Sequence, residues 1–337
     1  MQSLVVTGPR GLEWQDRPAP GLTAPGDALV RPIASSACDL DRRLVVSPSP
    51  FEAPFALGHE AVGEIVDLDG DSPFRIGQRV VIPWHISCGT CENCRRELPG
   101  ACASVPRLAS YGTSAGGLWG GLFDELVRVP WARYNLTPLP PAVDPVVAAS
   151  ASDNLTDAFQ AVRPVLDARP GAEVLVVGGT ASLGLLTVLS AVALGAEKVT
   201  YFDVDEARCA KAAAAGAAVI AADAYPDRLD GSFDLVVDAS AASAGLRCAL
   251  LSTRPGGTCV LRSVYFGEPR LPYFSLYGTG ITLVVGPPHA SPHVPAVLEL
   301  VEGGRLDPSP ILAGPFGYED AVEVLLDPPP GKPVFIR

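Results

Sequence analysis

Four cysteines stand at C-x2-C-x2-C-x7-C spacing, Cys88, Cys91, Cys94 and Cys102, within the single stretch CGTCENCRRELPGAC. Thiolates at such short intervals suit one tetrahedral cation of the zinc type, which takes sulfur at about 2.3 Å and, with four thiolates, has no position left for substrate. The stretch reads as a closed structural site that staples a lobe, residues 84–103, and performs no chemistry. Disulfides are the competing reading, but they need an oxidising compartment, and the opening MQSLVVTGPR has no charged region leading into an apolar stretch. An iron–sulfur cluster also takes four cysteines, yet its usual runs end differently, for example with Cys followed by Pro.

A second set of chemically capable residues is dispersed around the first: Cys38, then Gly58-His59-Glu60, then Ala151-Ser152-Asp153. Each alone is more often packing than chemistry. Together Cys38, His59 and Asp153 offer a soft, an intermediate and a hard ligand and leave a fourth position for water or substrate, the arrangement of a catalytic zinc.

Composition bounds what can hold these residues. The chain has 337 residues, 48% of them hydrophobic and 18% charged, which is globular and two domains long. Lys plus Arg number 25 against 37 Asp plus Glu, a formal net charge of −12, so neither nucleic acid nor an anionic membrane surface is expected as a main partner. The longest strongly apolar stretch, 183–196, is too short to span a bilayer. Eight cysteines, four of them tied to a metal cluster, fit a reducing cytoplasm.

Up to about residue 140 the pattern is of short β-rich pieces broken by Pro and Gly: SLVVTG, DALVRPIASSA, AVGEIVDL, QRVVIPW and FDELVRVP. Such spacing predicts a mostly antiparallel β domain over 1–143. The proline-rich segment 47–57 is expected as an exposed loop.

From about residue 144 strands and helices alternate. Strands are predicted at EVLVV (173–177), KVTYF (198–202, ending at Asp203), 219–220, FDLVVD (233–238), GTCVL (257–261) and ITLVV (281–285). Six strands alternating with helices describe an α/β fold with a doubly wound parallel sheet over 144–286. The first strand runs into the turn Gly179-Thr180-Ala181-Ser182-Leu183-Gly184, in which Ala181 takes the second position of G-x-G-x-x-G. Backbone can still approach a pyrophosphate there, and the following helix start attracts its charge. Asp203, 24 residues past Gly179, is placed to accept from a ribose 2′-hydroxyl and to repel a 2′-phosphate. NAD(H) is therefore favoured over NADP(H). Arg208 either flanks the adenine side or is a solvated helix charge. Residues 287–337, with two amphipathic helices and a last strand, return to the first domain, leaving cofactor and metal to meet in the cleft between domains.

At this point the chain resembles the zinc-dependent medium-chain alcohol dehydrogenases. The resemblance runs nearly end to end, through Gly58-His59-Glu60-Ala61-Val62-Gly63, Gly77-Gln78-Arg79-Val80, the four-Cys lobe, Gly120-Gly121-Leu122-Phe123-Asp124-Glu125, the glycine turn and Gly331-Lys332. It implies a six-stranded Rossmann domain beside a GroES-like catalytic domain with a structural-zinc lobe. It also implies two zinc ions per chain, and a homodimer or homotetramer that pairs the edge strands 281–285. Cys38, His59 and the residue at Asp153 would bind catalytic zinc, and Glu60 would be the neighbouring carboxylate able to exchange onto the metal. Glu60 as third ligand, or Asp153 as a plain helix cap, are the alternatives.

One departure matters. The family usually continues its zinc cysteine as C-x-[S/T]-D, with a hydroxyl that passes the alcohol's proton outward, whereas here Cys38-Asp39-Leu40-Asp41 puts Leu40 at that place. Arg43 stays protonated and cannot replace the relay. Either water or a carboxylate such as Asp39 takes over, or the reaction needs no fast proton exit. The expected activity is reversible oxidation of an alcohol to a carbonyl with NAD. The alternatives are reduction of an activated double bond or iminium, and a non-catalytic zinc and NAD-binding protein. Leu40, Phe51, Phe55, Trp84 and Trp119 could line an apolar pocket or be core; His85 and His289 carry no assigned role.

Overall fold

The computed structural model describes residues 1–70 and 72–337 and divides them into two units. One comprises 1–156, 288–304 and 312–337; the other comprises 157–287 and 305–311. The change of pattern in the sequence places the breaks at 143/144 and 286/287. Residues 144–156 stay with the first unit because Ser152 is stitched to the strand Glu60–Leu68. Its Oγ accepts from Ala61 N at 2.9 Å and donates to Ala61 O at 3.0 Å.

The first unit is a mostly antiparallel β structure. Its seven-stranded sheet is centred on Ala28–Ser36 paired with Glu60–Leu68, with Arg79–Ile82 beyond the second and Lys332–Ile336 against the first. Alternating apolar residues make this sheet: Ala28, Val30, Ala61, Ile65, Val80 and Ile82 are all buried in one core cluster. A smaller sheet joins Gln2–Gly8 to Gly11–Asp16 and Phe55–Ala56.

Register sets the positions of the chemical residues. Ser36 lies opposite Glu60, and Val334 lies opposite Ser36 on the other side. Cys38, two residues past one strand end, and His59, one residue before the other, are thereby brought to the same edge. The return of the C-terminal segment also carries Lys332 to that edge.

The helix Asp39–Val46 was not foreseen from sequence. It starts because Cys38 and Asp41 form a capping box: Asp41 Oδ2 accepts from Cys38 N at 2.9 Å, and Leu40 N lies 3.4 Å from Cys38 Sγ. Asp39 and Asp41 also suit the positive end of the helix, and Leu44 and Val45 bury its apolar side.

The second unit carries a six-stranded sheet in which every pairing is parallel. In spatial order its strands are Ala218–Ala221, Lys198–Asp203, Glu173–Val177, Phe233–Asp238, Thr253–Leu261 and Thr282–Val285. All six coincide with the apolar runs named from the sequence. The order reverses between Glu173–Val177 and Phe233–Asp238, the place where a doubly wound sheet opens a crevice at its carboxyl ends. Val174 to Val177 are wholly buried, each contributing roughly 1.5–3 kcal/mol through burial.

Candidate metal centres and dinucleotide turn

At the strand edge of the first unit one ligand atom from each of Cys38, His59 and Asp153 lies within 4.8 Å of the others, an arrangement that could hold a metal ion. His59 Nε2 is 3.4 Å from Asp153 Oδ2, and Cys38 Sγ is 3.4 Å from the same oxygen. All three side chains are buried. Burial, reinforced by the Asp153 carboxylate, pushes the Cys38 thiol up to about 12. Two acidic donors held this close and away from water fit a divalent cation, which would offset the cost of ionising both.

Glu60 takes a different position. Its Oε2 is 2.6 Å from Lys332 Nζ and accepts from Ser36 Oγ at 2.5 Å, while Oε1 accepts from Asn154 N at 2.8 Å. Burial works against charge on Lys332, yet Glu60 beside it holds its pKa above the ordinary lysine value. With its oxygens so occupied, Glu60 stands outside the three-donor group.

Residues that sequence reasoning missed complete the surroundings. Asp41 Oδ1 lies 3.2 Å from His59 Nδ1, so the imidazole sits between two carboxylates with Nε2 turned to the donor group. Burial disfavours charge on this ring, but Asp41, Cys38 and Asp153 together hold its pKa well above the usual histidine value. A carboxylate behind a metal-binding histidine fixes ring orientation and basicity. The spacing Cys-x-x-Asp, read as a helix cap, was the signal that could have found Asp41. Asn154, with Nδ2 3.2 Å from Cys38 Sγ and 3.1 Å from Asp153 Oδ2, had no such signal.

In the four-cysteine lobe all four sulfurs lie within 4.8 Å of one another. Cys91 Sγ is 3.5 Å from Cys94 Sγ and 3.9 Å from Cys102 Sγ. Sulfurs bound at ~2.3 Å around one tetrahedral ion stand about 3.8 Å apart, whereas a disulfide would need ~2.05 Å. Amides point at the sulfurs: Cys91 N lies 3.3 Å from Cys88 Sγ, Cys88 N 3.3 Å from Cys102 Sγ and Ala103 N 3.4 Å from Cys91 Sγ. Burial opposes ionisation of Cys88, but Ser104 and the amides of Thr90 and Cys91 pull its thiol down to about 5. The donor set fits zinc.

Several aromatic candidates fall elsewhere. Phe55 is wholly buried in a core cluster against which Leu40 and Phe51 also pack, while Trp119 packs on a different cluster. Trp84 is buried and its Nε1 donates to Pro288 O at 3.2 Å. His85 is buried, and Ser291 N donates to its Nε2 at 3.3 Å, which leaves the ring proton on Nδ1. Burial, with His289 nearby, lowers its pKa to about 3.

In the second unit the turn after Glu173–Val177 leads into the helix Leu183–Ala193, with Ser182 at the capping position. Gly179 has φ +155°, and a Cβ there would lie 2.5 Å from Ser240 O. A Cβ on Gly184 would lie 3.3 Å from the Tyr201 ring, so glycine at the end of the turn lets helix and strand pack closely. Ala181, Ser182 and Leu183 sit at the helix start, where backbone N–H groups suit a pyrophosphate. Asp203 is at the expected strand end, but it is wholly buried and ion-paired to Arg208 at 2.7 Å. Arg208 thus lies against Asp203 at the strand end and is not a lone solvated helix charge.

Comparison with known proteins agrees with both units. Residues 24–141 match the family described as alcohol dehydrogenase GroES-like domain, and residues 182–302 match zinc-binding dehydrogenase. The chain is 29% identical to a probable zinc-binding alcohol dehydrogenase of Mycobacterium tuberculosis, over 96% of this chain and 84% of that one. It is 27% identical to L-threonine 3-dehydrogenase of Pyrococcus abyssi, over 95% and 93%. Among solved structures, alcohol dehydrogenase TADH from Thermus sp. ATN1 superposes with a TM-score of 0.88 at 31% identity, covering 100% of this chain and 99% of that one. The chain is thus an oxidoreductase of the zinc-dependent medium-chain alcohol dehydrogenase family.

Proposed function

We propose that this protein interconverts an alcohol and its aldehyde or ketone, with hydride passing to or from a nicotinamide dinucleotide carried by the second unit. In this reading each chain carries two zinc ions, one on Cys38, His59 and Asp153 and one on Cys88, Cys91, Cys94 and Cys102. The observation that supports it most is the contrast between the two clusters. One is closed by four thiolates; the other offers three mixed donors and leaves a coordination position for substrate.

Zinc at the three-donor site would supply a Lewis acid that lowers the pKa of a hydroxyl, and the nicotinamide would supply the hydride acceptor or donor. The protein's own share is positional. Asp41 orients His59, and Asn154 donates to Cys38 and Asp153. Lys332 keeps Glu60 turned away from the donor group. In the second unit the start of Leu183–Ala193 would hold the pyrophosphate.

Leu40 supports a second reading, reduction of an activated double bond or iminium. It packs on an apolar cluster and has no proton to exchange at the relay position.

Metal analysis combined with an NAD(P)-linked panel separates these readings. The panel should contain primary, secondary, aromatic and sugar alcohols, L-threonine because one relative is named for it, and unsaturated carbonyls. Two zinc per chain and turnover of an alcohol are expected. Turnover confined to unsaturated carbonyls would favour the second reading, and no turnover with any member would overturn the proposal.

The same reading places the protein in a reducing cytoplasm as a homodimer or homotetramer. No helix among the described residues is long and apolar enough to cross a membrane. The second unit exposes Tyr273, Phe274, Tyr277 and Val285, a group of apolar side chains suited to self-association.

A further inference from the structure

The segment that brings the chain back to the first unit lies in a slot with two walls. Pro288 is the first residue of that return. On one side Trp84 Nε1 donates to Pro288 O at 3.2 Å, and His85 Nε2 accepts from Ser291 N at 3.3 Å, contacts that span 204 and 206 residues of chain. On the other side stands the short turn Pro99–Ala101 of the four-cysteine lobe. A Cβ on Gly100 would lie 3.2 Å from His289 Nδ1 and 3.4 Å from both Pro288 O and the Trp84 ring, which is tight for any side chain.

The helix that follows, Ala290–Glu302, needs support at its start. His289 at the capping position makes no capping hydrogen bond from its side chain, and Pro292 and Pro295 have no N–H to give. The amide of Ser291 is among the four that a helix leaves without an internal acceptor, and His85 supplies one from a distant part of the chain. Burial keeps the His85 ring neutral, so Nε2 can accept.

The two walls differ in what holds them. Trp84 and His85 are fixed to the core of the first unit: Tyr111 N donates to Trp84 O at 3.0 Å and Ile86 N to Ala109 O at 2.9 Å, and Ile86, Ala109 and Tyr111 share one buried cluster. Gly100 stands two residues before Cys102, in a lobe whose helix Glu92–Arg95 buries none of its residues. A lobe with so little core of its own owes its shape to a bound metal.

We propose that the four-cysteine lobe is a metal-dependent latch on the returning chain: closed by its ion, it holds Gly100 against Pro288 and His289, and opening it releases the first turn of Ala290–Glu302. This rests on the reading of Cys88, Cys91, Cys94 and Cys102 as a zinc site. The closed site, which has no position for substrate, thereby acts beyond its own loop.

The test is hydrogen exchange read by mass spectrometry on the full chain, with zinc per chain measured on the same samples. Cys94→Ser should lose one zinc, and the peptide over 289–296 should exchange roughly tenfold faster while Glu173–Val177 keeps its wild-type rate. Should Cys94→Ser fail to fold, Gly100→Val, which keeps all four thiolates, should push the lobe off the slot and speed the same peptide with both zinc ions retained. Loss of one zinc with unchanged exchange over 289–296, an equal gain in Glu173–Val177, or no effect of Gly100→Val overturns the latch and leaves the zinc reading standing. A folded Cys94→Ser chain that keeps as much zinc as the wild type removes that reading and the proposal together.

Discussion

Lys332 Nζ donates to Asn154 Oδ1 at 2.7 Å, and since an ammonium only donates, this bond fixes which way the Asn154 amide faces. The amide nitrogen is thereby turned to Cys38 Sγ and Asp153 Oδ2, at 3.2 and 3.1 Å. A residue near the C-terminus thus orients, through one carboxamide, two of the three proposed zinc donors. Asn154→Ala should weaken zinc at that site by about 10–100-fold, the usual effect of losing an outer-shell hydrogen bond. Competition with a chelator would show one zinc leaving early, while the ion in the four-cysteine lobe, which Asn154 does not touch, leaves as in the wild type. Loss of both ions together would point to general unfolding and count against the account.

Leu40 stands where a relay hydroxyl is expected, and it packs against the cluster that holds Phe55 and Phe123. If water replaces the relay, Leu40→Thr should raise alcohol turnover or shift its pH profile. It should also lower stability by roughly 1–2 kcal/mol through lost apolar burial. Steady-state rates across pH, read beside a denaturant melt, check both; stability loss with an unmoved profile would rule out a proton-exit role for this position.

Asp124 gives a pH-dependent stability. Its Oδ1 accepts from Ser3 Oγ at 2.6 Å and its Oδ2 from Gly121 N at 3.1 Å, but burial raises its pKa from 3.8 to about 6. A carboxyl whose pKa is raised on folding binds its proton more tightly when folded. Its contribution is fully present below about pH 4 and is lost as pH rises through about 6. Asp124→Asn should therefore gain on the wild type between these values by up to about 2–3 kcal/mol and gain nothing below pH 4. Urea midpoints of the two proteins at pH 4, 5, 6 and 7 give the comparison, and a difference that does not change with pH would refute it.

The second unit exposes Phe274 at 86% and Tyr277 at 74%, with Val285 on the outermost parallel strand at 69%. An uncovered sheet edge beside large apolar side chains is a site of association. Phe274→Glu should shift the protein from dimer or tetramer toward a smaller species in light scattering after gel filtration, with zinc content unchanged. A wild type that is monomeric at micromolar concentration would remove the oligomer proposal.

Local chemistry wrote much of this protein into its sequence. The six parallel strands were legible because each is a short apolar run bounded by turn residues, and the turn because Gly179 holds a backbone angle and a close approach to Ser240 O that a side chain would not fit. The four-cysteine lobe was legible because a tetrahedral ion needs ligands at short intervals. Cys38, His59 and Asp153 could be named from residue type and resemblance, since donor chemistry does not depend on where the chain goes.

What surrounds those residues was settled only by folding. Asp41 reaches His59 because a helix starts at Cys38, and Lys332 reaches Glu60 because the last strand pairs beside Ser36. Asp203 is legible in the sequence as an acid at a strand end, but its pairing with Tyr201 and Arg208 comes only with the fold. A sequence specifies which groups can donate and accept. Which of them are already spent depends on neighbours brought together from distant parts of the chain, and that is fixed by strand register and burial.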